Sequence, residues 1–301
     1  MDLNILITGG TGFIGSHLIE YFLKQQYNII VLSRKIKKNA NNLKYILNLD
    51  SIKDNTKIDI IINLAGAPID KNWTKKYKKI LLNSRIQTTK KIISLIERLD
   101  NKPKVLISGS AVGYYGARDT KSESDFLDEN SNYKPCFTHT LCEKWENEAN
   151  LATKFGTRVC IIRLGVVLGK DGGMLKKIFL PFKLGLGGNL GDGKQYLSWV
   201  HIDDVIRVIN YLIINNSSSG VYNLTSPNPI SNSYFTKHLG KTLKRLTLFT
   251  MPSFVIQLLF GEMGEELLLG SNKVIPSKLL EEGYKFKYPK IEEALEDIYK
   301  K

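Results

Sequence analysis

The chain alternates short apolar segments with longer segments in which apolar residues recur at helical spacing. Five almost continuously apolar segments predict strands buried on both faces of a parallel sheet, at Leu3–Thr8, Asn28–Leu32, Ile58–Leu64, Lys104–Ser108 and Arg158–Leu164. Helices are predicted between them at Ile14–Leu23, Trp73–Leu99 and Phe137–Phe155. Regular alternation of strand and helix is typical of the α/β class, so we expect a Rossmann-like, doubly wound parallel sheet.

The pattern changes after Gly169 into a glycine-rich stretch, and it resumes over residues 200–214 and 221–224. Asp203 or Asp204 is the expected N-cap of the helix in the first of these segments. We predict a dinucleotide-binding Rossmann domain over residues 1–225, in which the 170–199 segment contributes to a substrate pocket. Residues 226–301 are predicted to form a smaller C-terminal substrate lobe.

Basic residues exceed acidic ones by a wide margin. Of 301 residues, 43 are Lys or Arg and 29 are Asp or Glu, so the formal net charge is +14. Such an excess is compatible with a nucleic acid or an anionic membrane as partner. The lysines are scattered, however, and are not interleaved with aromatic residues that stack bases. We therefore interpret them as solvated surface that helps to attract anionic cofactors, and we expect no nucleic-acid partner.

The cysteines and the apolar segments indicate the cellular compartment of the protein. Cys136, Cys142 and Cys160 are odd in number and form no CxxC pair, so they predict neither a disulfide framework nor a zinc site. No other spacing predicts a metal site. The N-terminal residues lack a secretory-signal pattern, and no apolar run approaches the roughly 18–20 residues of a membrane helix. We expect a cytoplasmic protein without a membrane partner.

A glycine-rich turn, GGTGFIG at 9–15, follows the first predicted strand and opens the first predicted helix. Glycines there permit a tight turn and close approach of the backbone to a pyrophosphate, which then lies at the positive end of the helix. The strand–turn–helix context makes this signal specific. Cofactor contacts are predicted at Gly9, Thr11, Gly12, Phe13, Ile14 and Gly15.

The end of the second strand indicates which dinucleotide is bound. NAD-binding units usually place Asp or Glu about 20 residues after the turn, whereas this strand is followed by Ser33 and Arg34. Arg34 can pair with a 2′-phosphate and Ser33 can donate a hydrogen bond to it, so NADP(H) is favoured. The third strand closes with Leu64, Ala65 and Gly66, which let a cofactor lie across the sheet edge.

With SGSAVGYYG at 108–116, these motifs resemble the extended short-chain dehydrogenase/reductases. More narrowly, RLGVVLG (163–169), the 180–204 segment and GEMGEELLLGSNKVIPSKLLEEGYKF (261–286) are similar to the atypical "epimerase family protein" group. The last segment resembles that group's small C-terminal domain, and the resemblance covers nearly the whole chain. It implies further cofactor contacts at Arg85, for which a plain helix-surface cation is the alternative, and at Val167 beside the nicotinamide end.

The resemblance also implies where chemistry should occur, and the chain departs from it there. Ser110 matches the serine that holds the substrate oxygen. The tyrosine and lysine that lie four apart on a helix in this superfamily fall at Thr138 and Cys142, counted from Glu146. A threonine hydroxyl is too weak an acid to replace the tyrosine, and a cysteine cannot supply the charge of the lysine.

Other groups are therefore candidates for the proton donor. Tyr114 and Tyr115 follow Ser110 on the same loop and are the preferred candidates, with His139 or an ordered water as alternatives. Either tyrosine can instead pack against nicotinamide or line the pocket.

Gln195 and Trp199 are candidate substrate-binding residues, although core packing is an equal alternative for Trp199. In the nucleotide-sugar epimerases and dehydratases that this segment resembles, an arginine that binds the substrate diphosphate stands where this chain has Leu197. An aliphatic side chain cannot neutralise a diphosphate, which argues against a nucleotide sugar.

Three functions remain open. The leading hypothesis is an NADP(H)-dependent oxidoreductase acting on an unidentified small carbonyl or alcohol. The second is an epimerase of a sugar-like substrate. The third is a non-catalytic NADP(H)-binding or sensor protein, which the lost Tyr–Lys pair favours. A homodimer through the two long helices is a further open expectation.

Overall fold

The computed structural model describes residues 3–118 and 126–300. Its strands are β1 Asn4–Thr8, β2 Asn28–Leu32, β3 Leu43–Ile46, β4 Ile60–Asn63, β5 Val105–Ala111, β6 Phe126–Leu127, β7 Arg158–Leu164, β8 Val166–Leu168, β9 Tyr196–Leu197, β10 Trp199–His201, β11 Gly220–Leu224, β12 Ile230–Ser231 and β13 Lys273–Val274. Seven of them form one parallel sheet in the order β11-β7-β5-β4-β1-β2-β3. The remaining six form three two-stranded pairs.

The α-helices are α1 Phe13–Lys24, α2 Lys75–Arg98, α3 Phe137–Asn150, α4 Gly173–Lys183, α5 Ile202–Ile214, α6 Asn232–Leu243, α7 Ser253–Gly264, α8 Ser277–Glu281 and α9 Ile291–Lys300. Within the described ranges, none is both long and apolar enough to cross a lipid bilayer. The same ranges contain no group of three His, Cys, Asp or Glu side chains placed to hold a metal ion.

Alternate residues of the central strands face opposite helix layers. Ile5 and Ile7 of β1 pack in a core that includes Leu18 of α1, whereas Leu6 between them packs in a second core with Ile92 of α2. Both faces of the sheet are therefore covered, which is why the strands are almost continuously apolar. The predicted Rossmann-like sheet is confirmed.

Some local predictions were wrong. The strand β3 was not predicted, because at the sheet edge its side chains are only partly buried and the apolar signal is weak. The helix predicted over 137–155 ends as an α-helix at Asn150, and the chain continues as a 3₁₀ turn over Leu151–Phe155.

The N-cap of α5 also differs from the prediction. His201 caps the helix, since its Nδ1 accepts a hydrogen bond from the amide of Asp203. Asp204 instead accepts hydrogen bonds from the amides of Lys287 and Tyr288, at 2.7 and 2.9 Å. This buried carboxylate attaches the C-terminal part of the chain to α5.

Candidate cofactor and substrate site

The direction of the chain changes between β1 and β4 in the central sheet. Strands β1 and β4 are neighbours, with Thr8 opposite Asn63, and the chain leaves them for opposite ends of the sheet. Gly9 follows β1 with a φ of +73°, and a Cβ atom there would lie 2.6 Å from the carbonyl carbon and oxygen of Leu64. Ligands of open α/β sheets bind in the crevice at this switch point, outside the carboxyl ends of the strands.

The glycine turn forms a backbone cradle beside this crevice. The amide of Gly12 donates to the carbonyl of Gly9 at 2.9 Å, and a Cβ atom on Gly15 would lie 2.4 Å from the same carbonyl oxygen. Gly12 is the N-cap of α1 and supplies no side-chain cap, so the first amides of the helix are left for another acceptor. A diphosphate fits this geometry.

Phe13 and Ile14 begin α1, and Phe13 has a packing role that the sequence did not indicate. Its ring lies against the turn that precedes α4, because a Cβ atom on Gly172 would lie 2.3 Å from the ring. Thr11 is exposed on the turn and Ile14 is half-buried.

Ser33 and Arg34 lie where the ribose end of a dinucleotide would be held. Arg34 is exposed, whereas Ser33 is buried and its hydroxyl donates to the carbonyl of Lys35 at 2.8 Å. A neighbouring cavity of about 140 Å³ is lined by Leu32 at the end of β2, by the 47–49 turn after β3 and by part of α2. No sequence pattern indicated this cavity, because β3 was not predicted.

Arg85 is not a plain surface cation. Its guanidinium donates to the carbonyl of Ala67 at 3.3 Å and lies against Gly66, where a Cβ atom would be 2.8 Å from Cζ. It also lies 5.3 Å from the ring centroid of Trp145. Burial lowers the pKa of Arg85 from its usual value. The side chain therefore braces the loop formed by Leu64, Ala65 and Gly66 after β4.

Val167 occupies the middle of β8, opposite Val200 of β10, and it is half-buried. This short parallel pair starts directly after the carboxyl end of β7. The position is at the same edge of the sheet as Gly9 and Leu64, since all seven central strands are parallel.

Ser110 is bound into a buried charge network. Its hydroxyl donates to Glu146 at 2.5 Å, and Arg163 donates to the same carboxylate from Nε and Nη2, both at 2.9 Å. All three side chains are buried. Although burial opposes its charge, hydrogen bonding to Glu146 raises the pKa of Arg163 above its usual value. The hydroxyl proton of Ser110 is therefore engaged in the hydrogen bond to Glu146.

Tyr115 is in the core, contrary to the expectation of a proton donor at the pocket. It is fully buried, and its hydroxyl donates to Asn223 at 2.7 Å and accepts from Arg163 at 3.0 Å. Burial raises the pKa of Tyr115 to about 12. Both the lack of access and the higher pKa make this hydroxyl unsuited to exchange protons with a ligand.

Tyr114 is half-buried among aromatic and charged neighbours. The guanidinium of Arg163 lies 3.3 Å from its ring centroid, and the ring of His139 lies edge-on at 5.0 Å. His139 is buried, and its Nδ1 lies 2.7 Å from the carbonyl oxygen of Tyr114. These contacts fix Tyr114 and His139 against each other.

The positions of the missing tyrosine and lysine are occupied by neutral groups in close contact with other residues. Cys142 is buried beside the carbonyl of Ala111, and burial raises the pKa of its thiol to about 11. Thr138 donates its hydroxyl to Glu266 at 2.8 Å, and the same carboxylate accepts the amides of Phe137 and Thr138 at 3.1 and 3.0 Å. Glu266 thus occupies the N-terminus of α3, where the superfamily has its catalytic tyrosine.

A cavity of about 140 Å³ lies at this point. Its wall combines the loop after β5, the glycine-rich segment and the C-terminal part of the chain, including Gly113, Thr138, Gln195, Leu197 and Glu266. Among the described residues that line it, Glu266 is the one with a charged side chain.

The two predicted substrate residues have different positions. Gln195 lies in the cavity wall, where its amide donates to the carbonyls of Leu190 and Leu268 at 2.9 and 3.0 Å. Trp199 is fully buried in an apolar core and its ring N–H donates to the carbonyl of Asn228 at 3.0 Å. Trp199 is therefore a core residue, because this bond and its packing turn it away from the cavity.

Comparison with protein families agrees with this architecture. A model of the NAD dependent epimerase/dehydratase family matches residues 5–225, which is more than half of the chain. The chain belongs to this family. A model of a domain of unknown function (DUF1731) matches residues 251–298. The resemblance that the motifs indicated is confirmed.

Relatives of this chain align with almost its whole length. It is 37% identical over 303 residues to an epimerase family protein of Staphylococcus epidermidis, covering 98% of each chain. The structure of human epimerase family protein SDR39U1 (isoform 2) with NADPH matches with a TM-score of 0.89 and 31% identity, covering 99% of each chain. A nucleoside-diphosphate sugar epimerase of Corynebacterium glutamicum matches with a TM-score of 0.79 and 27% identity, over 99% of this chain and 58% of that one.

Glu266 is the main site residue that no sequence pattern indicated. It lies within a segment quoted for the resemblance, but its partner Thr138 is 128 residues away. No local spacing connects the two, so only the folded chain places a carboxylate at the N-terminus of α3.

Proposed function

We propose that this protein is an NADP(H)-dependent oxidoreductase that exchanges hydride with a small alcohol or carbonyl. The observation that carries the proposal is the cavity lined by Thr138 and Glu266 at the carboxyl edge of the nucleotide-binding sheet. A protein that only sensed a dinucleotide would need no second cavity there. The human relative whose structure contains NADPH supports the choice of cofactor.

The chain's own residues account for each part of the cofactor. The diphosphate binds the amides of the 9–15 turn, and Arg34 pairs with the 2′-phosphate. The cavity formed by Leu32, the 47–49 turn and α2 would hold the adenine. Bound NADP(H) supplies or accepts the hydride. Val167 and the loop braced by Arg85 bound the space left for its nicotinamide end.

Thr138 and Glu266 accept the proton that the substrate hydroxyl releases. A substrate hydroxyl donates to Thr138 Oγ1, which itself donates to Glu266 at 2.8 Å. When hydride leaves the substrate carbon, the hydroxyl proton moves to Thr138 and the proton of Thr138 moves to Glu266, so that a carbonyl forms and threonine stays neutral. Carbonyl reduction runs the same transfers in reverse. Thr138 and Glu266 together replace the proton transfer of the missing tyrosine, and the threonine hydroxyl does not have to ionise.

The resemblance implies that Ser110 holds the substrate oxygen. Because Ser110 is buried, does not line the cavity and donates its proton to Glu146, the substrate hydroxyl in this proposal contacts Thr138 instead. The cavity wall favours a compact, uncharged substrate, since Leu197 lines it and the described lining residues include no Lys or Arg. That composition argues against a nucleotide sugar.

The first experiment measures thermal unfolding with NADPH, NADP⁺, NADH or no ligand. A ligand bound only by the native state adds RT ln(1 + [L]/Kd), about 2.7 kcal/mol at a hundredfold excess over Kd. We expect stabilisation by NADPH that NADH does not match, and loss of that preference in Arg34→Ala but not in Lys38→Ala, an exposed control on the same loop. Absence of any shift would refute the cofactor assignment.

The second experiment follows NADPH oxidation with a panel of small aldehydes and ketones. Turnover should fall at least tenfold in Thr138→Ala and Glu266→Gln and remain unchanged in Glu265→Gln, whose side chain is exposed. Ser110→Ala tests the role that the resemblance implies, and a loss of turnover as large as that in Thr138→Ala would place Ser110 at the substrate.

A cofactor-binding protein without turnover is the second candidate. The observation that favours it is the neutral, buried Cys142 in place of the lysine, because no cation then assists proton transfer. Stabilisation by NADPH with no carbonyl reduced across the panel would support this candidate and refute the oxidoreductase.

A further inference from the structure

Large apolar side chains are exposed on two segments that the proposed function does not use. Nine Leu and Phe residues there have more than half of their surface exposed: Leu180, Leu184, Leu186, Leu246, Leu248, Phe249, Phe254, Leu258 and Leu259. They come from the end of α4, the chain after α6 and the start of α7. Exposed apolar clusters of this kind mark interaction surfaces.

Contacts join these segments, and we call their exposed Leu and Phe side chains the apolar patch. Arg245 donates to the carbonyl of Lys183 at 2.8 Å, which joins the end of α4 to the chain after α6. Met251 donates its amide to Asn189 at 2.8 Å and accepts from Gly191 at 2.9 Å. The backbones approach so closely at Gly188 that a Cβ atom there would overlap the carbonyl of Phe249.

The two segments that carry the patch are rich in basic residues. Residues 172–191 and 237–260 contain no Asp or Glu. Their exposed cations are Lys176, Lys177, Lys183, Lys237, Lys241, Lys244 and Arg245, of which Lys177 pairs with Asp70. On α4, Lys176, Leu180 and Lys183 share one face, because they are four and three residues apart. Part of the chain's positive net charge thus lies on the same segments as the exposed leucines.

We propose that the apolar patch docks the protein peripherally on an anionic lipid surface. Basic side chains on the same segments as exposed Leu and Phe match the two attractions that hold peripheral proteins on membranes, namely apolar insertion and binding of anionic headgroups. A second copy of the chain fits less well, because a two-fold interface would bring the same basic surface of both copies together and their like charges would repel. Lipid also accommodates apolar side chains from loops without a complementary groove. This docking is independent of the proposed chemistry.

The test is co-sedimentation of the full chain with vesicles of phosphatidylcholine alone or mixed with phosphatidylglycerol. We expect binding to the anionic vesicles only, and weakening of that binding by salt. The double variant Leu248→Ser/Leu258→Ser should lower binding at least tenfold, and Lys241→Gln/Lys244→Gln should do the same. Thermal unfolding of these variants should be unchanged, since all four side chains are exposed.

Matched controls lie elsewhere on the surface. Ile214→Ser removes an exposed apolar side chain from the end of α5, and Lys75→Gln/Lys76→Gln removes two exposed lysines from α2. Both should bind like the unaltered protein. Equal binding to neutral vesicles, an equal loss in the controls, or no binding at all would overturn the proposal. So would a concentration-dependent dimer that Leu248→Ser/Leu258→Ser abolishes, because the patch would then bind a second copy.

Discussion

Replacing Arg163 by methionine removes the cation that compensates the buried Glu146. The guanidinium donates twice to that carboxylate at 2.9 Å and once to the Tyr115 hydroxyl at 3.0 Å. With 3% and 5% of their surfaces exposed, neither Arg163 nor Glu146 can be solvated when its partner is lost. Removal of one partner from a buried pair costs about 3–5 kcal/mol.

The expected loss can be measured as a melting temperature. At roughly 2.1 cal/mol/K per residue, 301 residues give an unfolding entropy near 0.6 kcal/mol/K, so the midpoint should fall by about 5–8 °C. The double variant Arg163→Met/Glu146→Leu should be less destabilised than Arg163→Met alone, because it leaves no unpaired charge. Circular dichroism during heating and during urea unfolding gives both comparisons.

A matched control variant distinguishes the effect of burial on stability from the effect of charge pairing alone. Lys24→Met breaks an exposed ion pair with Glu20 and should cost no more than about 1 kcal/mol. If Arg163→Met costs no more than Lys24→Met, the argument that Arg163 stabilises a buried carboxylate is refuted. The same result would remove the reason for treating the orientation of Ser110 as fixed.

Three further predictions follow from the site. Gly15→Ala should abolish stabilisation by NADPH in thermal unfolding, because its Cβ atom would lie 2.4 Å from the Gly9 carbonyl oxygen, and retained stabilisation would contradict the cradle. Glu266→Ala should lower the free energy of unfolding by roughly 1–2 kcal/mol through loss of three accepted hydrogen bonds, whereas Glu265→Ala should change it by no more than about 0.5 kcal/mol in urea unfolding. Because burial raises the folded-state pKa of Cys142 to about 11, the folded thiol retains its proton where the unfolded thiol has lost it. Stability should therefore fall from about pH 9 to pH 11, and less steeply in Cys142→Ala, and equal slopes would refute this assignment.

Local features of the chain were sufficient to predict the sheet and the nucleotide-binding turn. The apolar runs identified five strands of the sheet, because a strand covered on both faces needs apolar residues at every position. The glycines at 9–15 identified the turn, because its close backbone contacts occur within a few residues of one another. Strand β3 was missed where that rule weakens, at an edge that is half exposed.

The substrate side of the site depended on contacts that sequence spacing does not encode. Ser110 and Glu146 are 36 residues apart, and Glu266 binds a threonine 128 residues away. Tyr114 and Tyr115 are adjacent in the chain, yet one ring is half-buried beside Arg163 and the other is fully buried with its hydroxyl bonded to Asn223. Trp199 could not be assigned to core or pocket until its ring N–H partner was known.

The sequence by itself determined the fold class, the family and the position of the dinucleotide turn, since each depends on residues close together in the chain. Only the tertiary structure decided that a carboxylate from the C-terminal part lies where the catalytic tyrosine is missing. It also brought exposed leucines and lysines from two distant segments into one patch. Both arrangements result from long-range packing, in which burial and hydrogen bonding select partners regardless of their separation in the chain.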